Sequence, residues 1–309
     1  MRVPLQNPKP DVESFKQVIL KEKNPERVHF IELHIDKEIM RYLVENCLNE
    51  RWVEPTDRES KERCLKNYIE LYWRLGYDSI RLSSQFRFSS SLNFPSQLRK
   101  GKDTAYLSRG IRDWVEEGRG VITSWDDFER YPWPSAEELD LWSYEFISEN
   151  IPDGMGIFAS FSPGIFEILS NQLFGYQTLS LLLYDDPELV KTVASRVGEL
   201  IYRCYEKIIG LPNLIGFFQG DDMGFKTSTL IAPSHLRKYI LPWHKKLAAL
   251  AHKNGLLYIL HSCGYLEPIM EELIEEVKIN AKHSFEDEIM PVGEFKRRYG
   301  NRIGVLGGV

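Results

Sequence analysis

Five short strings in this 309-residue chain set polar or ionisable side chains directly after an apolar run. They are Glu32-Leu33-His34, Ser83-Ser84-Gln85, Gln219-Gly220-Asp221-Asp222, His261-Ser262-Cys263-Gly264 and His283-Ser284-Phe285-Glu286-Asp287. Buried polar groups cost free energy unless paired, so repeated placement of this kind points to a working surface. His261-Ser262-Cys263 is the sharpest of the five. Residues two apart on an extended strand point the same way, so the imidazole and the thiol converge on one side. A borderline nitrogen donor beside a soft sulfur donor suits Zn²⁺. A satisfied histidine packed beside a buried thiol would leave the same string. At Asp221-Asp222 a carboxylate can orient a substrate or act as acid or base, or it can simply cap the loop. Glu32 and His34 share a strand face, as a donor–acceptor pair or with His34 as a core histidine. His283 and Glu286 have opposite parity, so at most one faces inward unless the strand has already ended. The substrate-contacting candidates are therefore Glu32, His34, Gln85, Asp221, Asp222 and His283.

These strings need elements to position them, and the rest of the chain supplies a strand–helix alternation. Short β-rich runs fall at Val28–Ile35, Asp78–Ser83, Gly156–Phe161, Leu214–Gln219, Leu256–His261, Ile279–Ser284 and Arg302–Leu306. Helical periodicity lies between them. Asp186-Pro187-Glu188 starts one helix, whose apolar stripe runs through Leu189, Val193, Val197, Leu200, Ile201, Cys204 and Ile208 until Gly210. Pro242 starts another, and Lys253-Asn254-Gly255 stops it. Strands alternating with helices imply a parallel sheet, and the nearly continuous apolar run Leu256–Leu260 suits a strand covered by helices. The expected fold is α/β, a (β/α)8 TIM-like barrel in a single domain. Functional groups then gather at the C-terminal strand ends, where the five strings lie. No Gly-x-Gly-x-x-Gly follows an early strand, which weakens the dinucleotide-binding alternative. Residues 1–27 read as an N-terminal extension with one short helix near Asp11–Lys23, bracing the barrel floor. Residues 85–150 hold four tryptophans and read as an inserted lid or hairpin subdomain at the mouth, or equally as an aromatic satellite core.

Composition excludes several classes. With 43% hydrophobic residues and a net charge of −6, the chain is not disordered, and its mild acidity argues against a general nucleic-acid binder. No apolar run approaches the ~18 residues of a membrane span, and the first residues lack a signal-peptide core. Cys47, Cys64, Cys204 and Cys263 are scattered, as free thiols of a reducing cytosol would be, and the first three sit in helical patterns as packing residues.

From about Asp153 onward the chain resembles the uroporphyrinogen decarboxylase superfamily. The resemblance rests on Asp185-Asp186-Pro187-Glu188-Leu189-Val190, on Asp221-Asp222-Met223-Gly224 through Ala232-Pro233 to Leu241-Pro242-Trp243, on His261-Ser262-Cys263-Gly264, and on Val305-Leu306-Gly307-Gly308-Val309. Gly120–Phe128 matches less closely, and the first 80 residues match mainly in layout. The resemblance implies a (β/α) barrel and one of two chemistries. Decarboxylases of this family use arginines near the first strand end and an aspartate after the second. Here those places read Glu32-Leu33-His34-Ile35-Asp36 and Ser83-Ser84-Gln85-Phe86-Arg87, so that pattern is absent, although Arg81 and Arg87 remain able to bind carboxylates.

The other branch resembles methylcobalamin:thiol methyltransferases, which carry His-x-Cys at this strand end and a later cysteine, all on zinc. By that resemblance His261 and Cys263 are zinc ligands, Asp222 stands near the substrate, and Asp222, His261 and Cys263 form the catalytic set. It implies a corrinoid such as methylcobalamin as substrate or as cofactor of a partner corrinoid protein, and it allows a homodimer. No cysteine follows Cys263, so a third ligand would come from His283, Glu286 or His34, or from a missing tail, unless no tight site exists. The expected enzyme is a zinc-dependent, corrinoid-linked methyltransferase. A decarboxylase of a tetrapyrrole or other polycarboxylate is the alternative, and a non-catalytic corrinoid-binding barrel is the third. Seven strand candidates against the eight of a closed barrel predict a chain short of its last strand–helix unit.

Overall fold

The computed structural model describes residues 4–82, 92–102, 110–115, 118 and 120–307. Ser83, Ser84, Gln85 and Arg87 lie outside the described residues. The strands are β1 (Ser79–Arg81), β2 (Leu98–Lys102), β3 (Ile111–Val115), β4 (Gly156–Ala159), β5 (Leu214–Gly220), β6 (Leu257–His261), β7 (Ala281–His283) and β8 (Gly304–Leu306). Six of them make one parallel sheet in the order β1-β4-β5-β6-β7-β8, and β2 and β3 pair antiparallel. Each main-sheet strand joins the one before it, so the sheet curls in one direction into a half-barrel.

Six of the seven expected strands thus form the sheet among the described residues, and the one that does not is the predicted first strand. Val28–Ile35 joins no ladder. Side chains hold it instead: His29 Nδ1 lies 2.7 Å from Asp78 Oδ2, Arg27 pairs with the same carboxylate, and Arg81 donates to the Leu33 carbonyl at 2.8 Å. Val28 points to solvent, 75% exposed, whereas Ile31 and Leu33 pack inward.

Alternation divides the strands' faces between two cores, except in β5, where a register shift against β4 lets Ile215 and Phe218, of opposite parity, join the same cluster. Ile157, Phe217, Tyr258 and Leu260 join the large cluster under the helices. Phe158, Ile215, Phe218, Leu257, Ile259, Ala281 and Leu306 form an inner cluster on the concave face. Phe15 and Ile19, from the helix Val12–Ile19, complete that inner cluster. His261 and His283 continue the inner parity of Ile259 and Ala281, one step beyond the apolar filling.

The helix Pro187–Ile208 forms where its cap and stripe predict. Asp186 accepts from Leu189 N at 3.1 Å, and every residue of the stripe is buried. Between β1 and β4, the β2–β3 pair is followed by an aromatic group in which Tyr131 and Trp133 meet edge to face with centroids 4.8 Å apart, continuous with the large core. No helix among the described residues is long and apolar enough to cross a membrane.

Candidate metal centre

The C-terminal end of β5 delivers two adjacent carboxylates, and packing gives them opposite fates. Asp221 is fully buried. Its oxygens accept from the backbone N–H groups of Ile165, Phe166 and Glu167 at 3.1, 3.1 and 3.0 Å. His244 Nε2 also reaches Asp221 Oδ2, at 2.9 Å, while His244 Nδ1 takes the Tyr258 hydroxyl at 2.7 Å, which sets the ring's tautomer. Gly164 (φ 152°) makes room, since a Cβ there would stand 2.3 Å from Asp221 Oδ1. Asp221 therefore ties a helix start to the sheet and leaves the mouth to its neighbour.

Asp222 turns the other way. Its Oδ1 accepts from Cys263 N at 2.7 Å and lies 3.5 Å from His261 Nε2. Cys263 Sγ is 3.6 Å from the same His261 nitrogen. The donor atoms of Asp222, His261 and Cys263 all lie within 4.8 Å of one another, in a half-buried position. The loops that carry them are stitched together. Met223 N donates to Ser262 Oγ at 3.1 Å, and Gly224 packs backbone to backbone on Gly264, whose φ of 77° needs the absent side chain.

β7 supports the cluster from one side. His261 Nδ1 and His283 Nδ1 are 2.7 Å apart, so one carries a proton and the other accepts it. With the proton on His261, its Nε2 presents a lone pair toward Asp222 and Cys263, the tautomer a metal ligand needs. The Ser284 hydroxyl lies 3.4 Å from Cys263 Sγ, and Glu286 Oε1 accepts from Gly264 N at 3.0 Å.

Burial governs the protonation of these groups. It pushes the Cys263 thiol up to about 11, aided by the Asp222 charge and opposed by the Ser284 bond. It holds His261 down at about 4, against the pull of Asp222 and with Arg81 and Lys282 adding to the fall. His283 falls to about 3, by burial first and then by His261. Glu167, whose Oε2 accepts from Asp222 N at 3.2 Å, is raised to about 8 by burial and by the two neighbouring aspartates. At neutral pH the imidazoles are therefore neutral, ready-made donors, and the thiol keeps its proton until a cation displaces it.

An imidazole nitrogen, a sulfur and a carboxylate oxygen at this spacing fit a borderline divalent ion such as Zn²⁺, with one position of a tetrahedral set left over. Among the described residues it is Asp222 whose carboxylate oxygen stands within 4.8 Å of the His261 and Cys263 donor atoms, while the expected third candidates His283 and Glu286 are engaged elsewhere. His283 commits Nδ1 to His261, and Glu286 commits a carboxylate oxygen to the Gly264 amide. Glu32 accepts from Leu33 N at 3.1 Å and from the Tyr77 hydroxyl at 3.5 Å, while His34 is half-exposed and 3.9 Å from Asp36; the two do not pair. Sequence reasoning missed Glu167, Lys282 and Ser284 as neighbours of the cluster. For the first two a signal existed, a charged residue inside the apolar string Ile165–Leu169 and a lysine within the strand candidate Ile279–Ser284.

The chain is similar in fold to a methyltransferase from Methanosarcina mazei, at a TM-score of 0.62 and 14% sequence identity, with 97% of this chain and 83% of that one covered. At this identity the likeness is one of fold. No family model and no curated protein matches the chain.

Proposed function

We propose that the protein is a zinc-dependent methyltransferase that moves a methyl group between a corrinoid and a thiol. The observation that carries this reading is the convergence of Asp222, His261 and Cys263 at the ends of β5 and β6. The fold it shares with the Methanosarcina mazei methyltransferase supports it. Zinc, when bound, would supply the charge that keeps a coordinated thiol deprotonated at neutral pH.

The chain's own residues do the rest. His261 offers Nε2 because His283 occupies its Nδ1. Cys263 gives up its proton and contributes sulfur, while Asp222 contributes a carboxylate oxygen already aligned by the Cys263 amide. Arg81 ends β1 on the inner face, its guanidinium donating to Leu33 O and Ser160 Oγ at 2.8 Å each and lying 5.1 Å from the Phe218 ring. No carboxylate among the described residues pairs with it, so its positive charge is left uncompensated on the inner face and would favour an anionic group of the substrate there. The corrinoid would come as a free substrate or on a partner protein.

Metal analysis of protein purified without a histidine tag tests the reading, together with thiol-dependent demethylation of methylcobalamin followed by its absorbance. The expected result is zinc near one per chain, most of it lost in Cys263→Ser, with demethylation lost alongside. Zinc well below one per chain and unchanged in Cys263→Ser would overturn the mechanism. Chelator-resistant loss of carboxyl groups from uroporphyrinogen would favour a decarboxylase instead.

A further inference from the structure

On β7 the inner face belongs to His283, and Lys282 occupies the opposite face, where the neighbouring strand shows Tyr258 and Leu260. Lys282 is only 4% exposed, and no carboxylate among the described residues forms an ion pair with it. Its ammonium instead meets three main-chain carbonyls: Ser262 at 3.2 Å, His283 at 3.5 Å and Ser284 at 2.5 Å. The Phe285 ring lies 4.4 Å from Nζ. Burying an ammonium is costly, and burial here lowers Lys282 to about 8. Such a group persists where its bonds hold something in place.

Two of the three carbonyls belong to residues that handle the metal donors. Ser262 stands between His261 and Cys263. Ser284 carries the hydroxyl that faces Cys263 Sγ at 3.4 Å. Ser284 also has a φ of 81°, in the left-handed region that residues other than glycine rarely occupy. A strained residue of this kind survives only when its surroundings over-determine it, and such residues cluster at functional sites. The shortest of its bonds here is the one from Lys282 to its carbonyl.

Resting on the metal reading, we propose that Lys282 and Ser284 act as one positioning unit for Cys263. Lys282 fixes the Ser262 and Ser284 carbonyls, and so holds the Ser284 hydroxyl as a hydrogen-bond donor to the Cys263 sulfur. Once Cys263 is a thiolate the sulfur can only accept, which fixes the direction of that bond. A hydroxyl donated to a coordinating sulfur orients it and withdraws electron density from it, and partners of this kind change metal affinity by about 10–100-fold.

Cobalt(II) added to the metal-free protein reads the sulfur directly through its sulfur-to-cobalt charge-transfer band. Ser284→Ala and Lys282→Met are each expected to move that band to lower energy and to weaken cobalt binding by about 10–100-fold. The double variant is expected to go no further than either single one, because both changes remove the same bond. A wild-type band and affinity in either single variant would overturn the proposal, as would independent, additive shifts. If Lys282→Met does not fold, Lys282→Gln takes its place, and a wild-type band there overturns the proposal equally. A wild-type protein that shows no sulfur-to-cobalt band refutes the metal reading itself and the unit with it. That failure is distinct, because it appears before any variant is made.

Discussion

Zinc binding at Asp222, His261 and Cys263 is expected to release one proton per ion, and that proton comes from Cys263. Its thiol is held at about 11, four units above neutrality, so only about one molecule in ten thousand carries the thiolate at pH 7. Coordination needs the thiolate, so apparent affinity is expected to rise about tenfold per pH unit. His261 makes the prediction sharp. With the imidazole held at about 4, it has no proton to lose above pH 5, and the slope stays at one down to that point. A histidine at its ordinary value near 6.5 would add a second proton below that pH and steepen the slope toward two. Competition against a chromophoric chelator from about pH 5 to 9 gives the slope, and calorimetry in buffers of different ionisation heat counts the protons. Cys263→Ser is expected to bind far more weakly and to lose the proton release. A slope near two below pH 6.5 would show that burial does not control His261. A slope near zero in the wild type would show that the thiol is already ionised or is not a ligand, and either result refutes the reasoning.

Two further outcomes follow from the carboxylates beside the cluster. Asp221→Ala strips the acceptor from three backbone amides and His244 in a fully buried place, and is expected to cost about 3–5 kcal/mol in denaturant unfolding; a loss below about 1 kcal/mol would mean that water replaces the carboxylate. Glu167 titrates at about 8 in the folded chain against a reference of 4.5, so its contribution to stability is whole below about pH 4.5 and is lost as pH rises through 8. Glu167→Gln in metal-free protein is therefore expected to gain on the wild type from pH 5 to about 8 and to level off above it, and a pH-independent difference in unfolding midpoint would contradict it.

Much of the site was legible in the chain itself, for a local reason. His261 and Cys263 are two residues apart, and strand geometry alone puts them on one face. The same period identified five of the six main-sheet strands closely and marked the sixth, β8, within Arg302–Leu306. The misreading at Val28–Ile35 has the complementary cause. Its alternation is real, since Ile31 and Leu33 do turn inward, but whether an extended run joins a ladder depends on partners distant in sequence. Here Asp78 and Arg81 hold it by side chains.

Which of two adjacent aspartates would face the mouth was equally undecidable from residue types. Packing decided it, by aiming Asp221 at the amides of residues 165–167, more than 50 positions away, and Asp222 at the Cys263 amide 41 positions on. The pairing of His261 with His283 and the burial of Lys282 under three carbonyls belong to the same category. By itself, then, the sequence determined the alternating strands, the capped helices and the His-x-Cys pair, because each depends on the direction of a side chain relative to near neighbours. The approach of Asp222 to that pair, the contact of His261 with His283 and the burial that shifts their protonation were decided only by tertiary structure, because each depends on the distance and dielectric between groups that the chain brings together last.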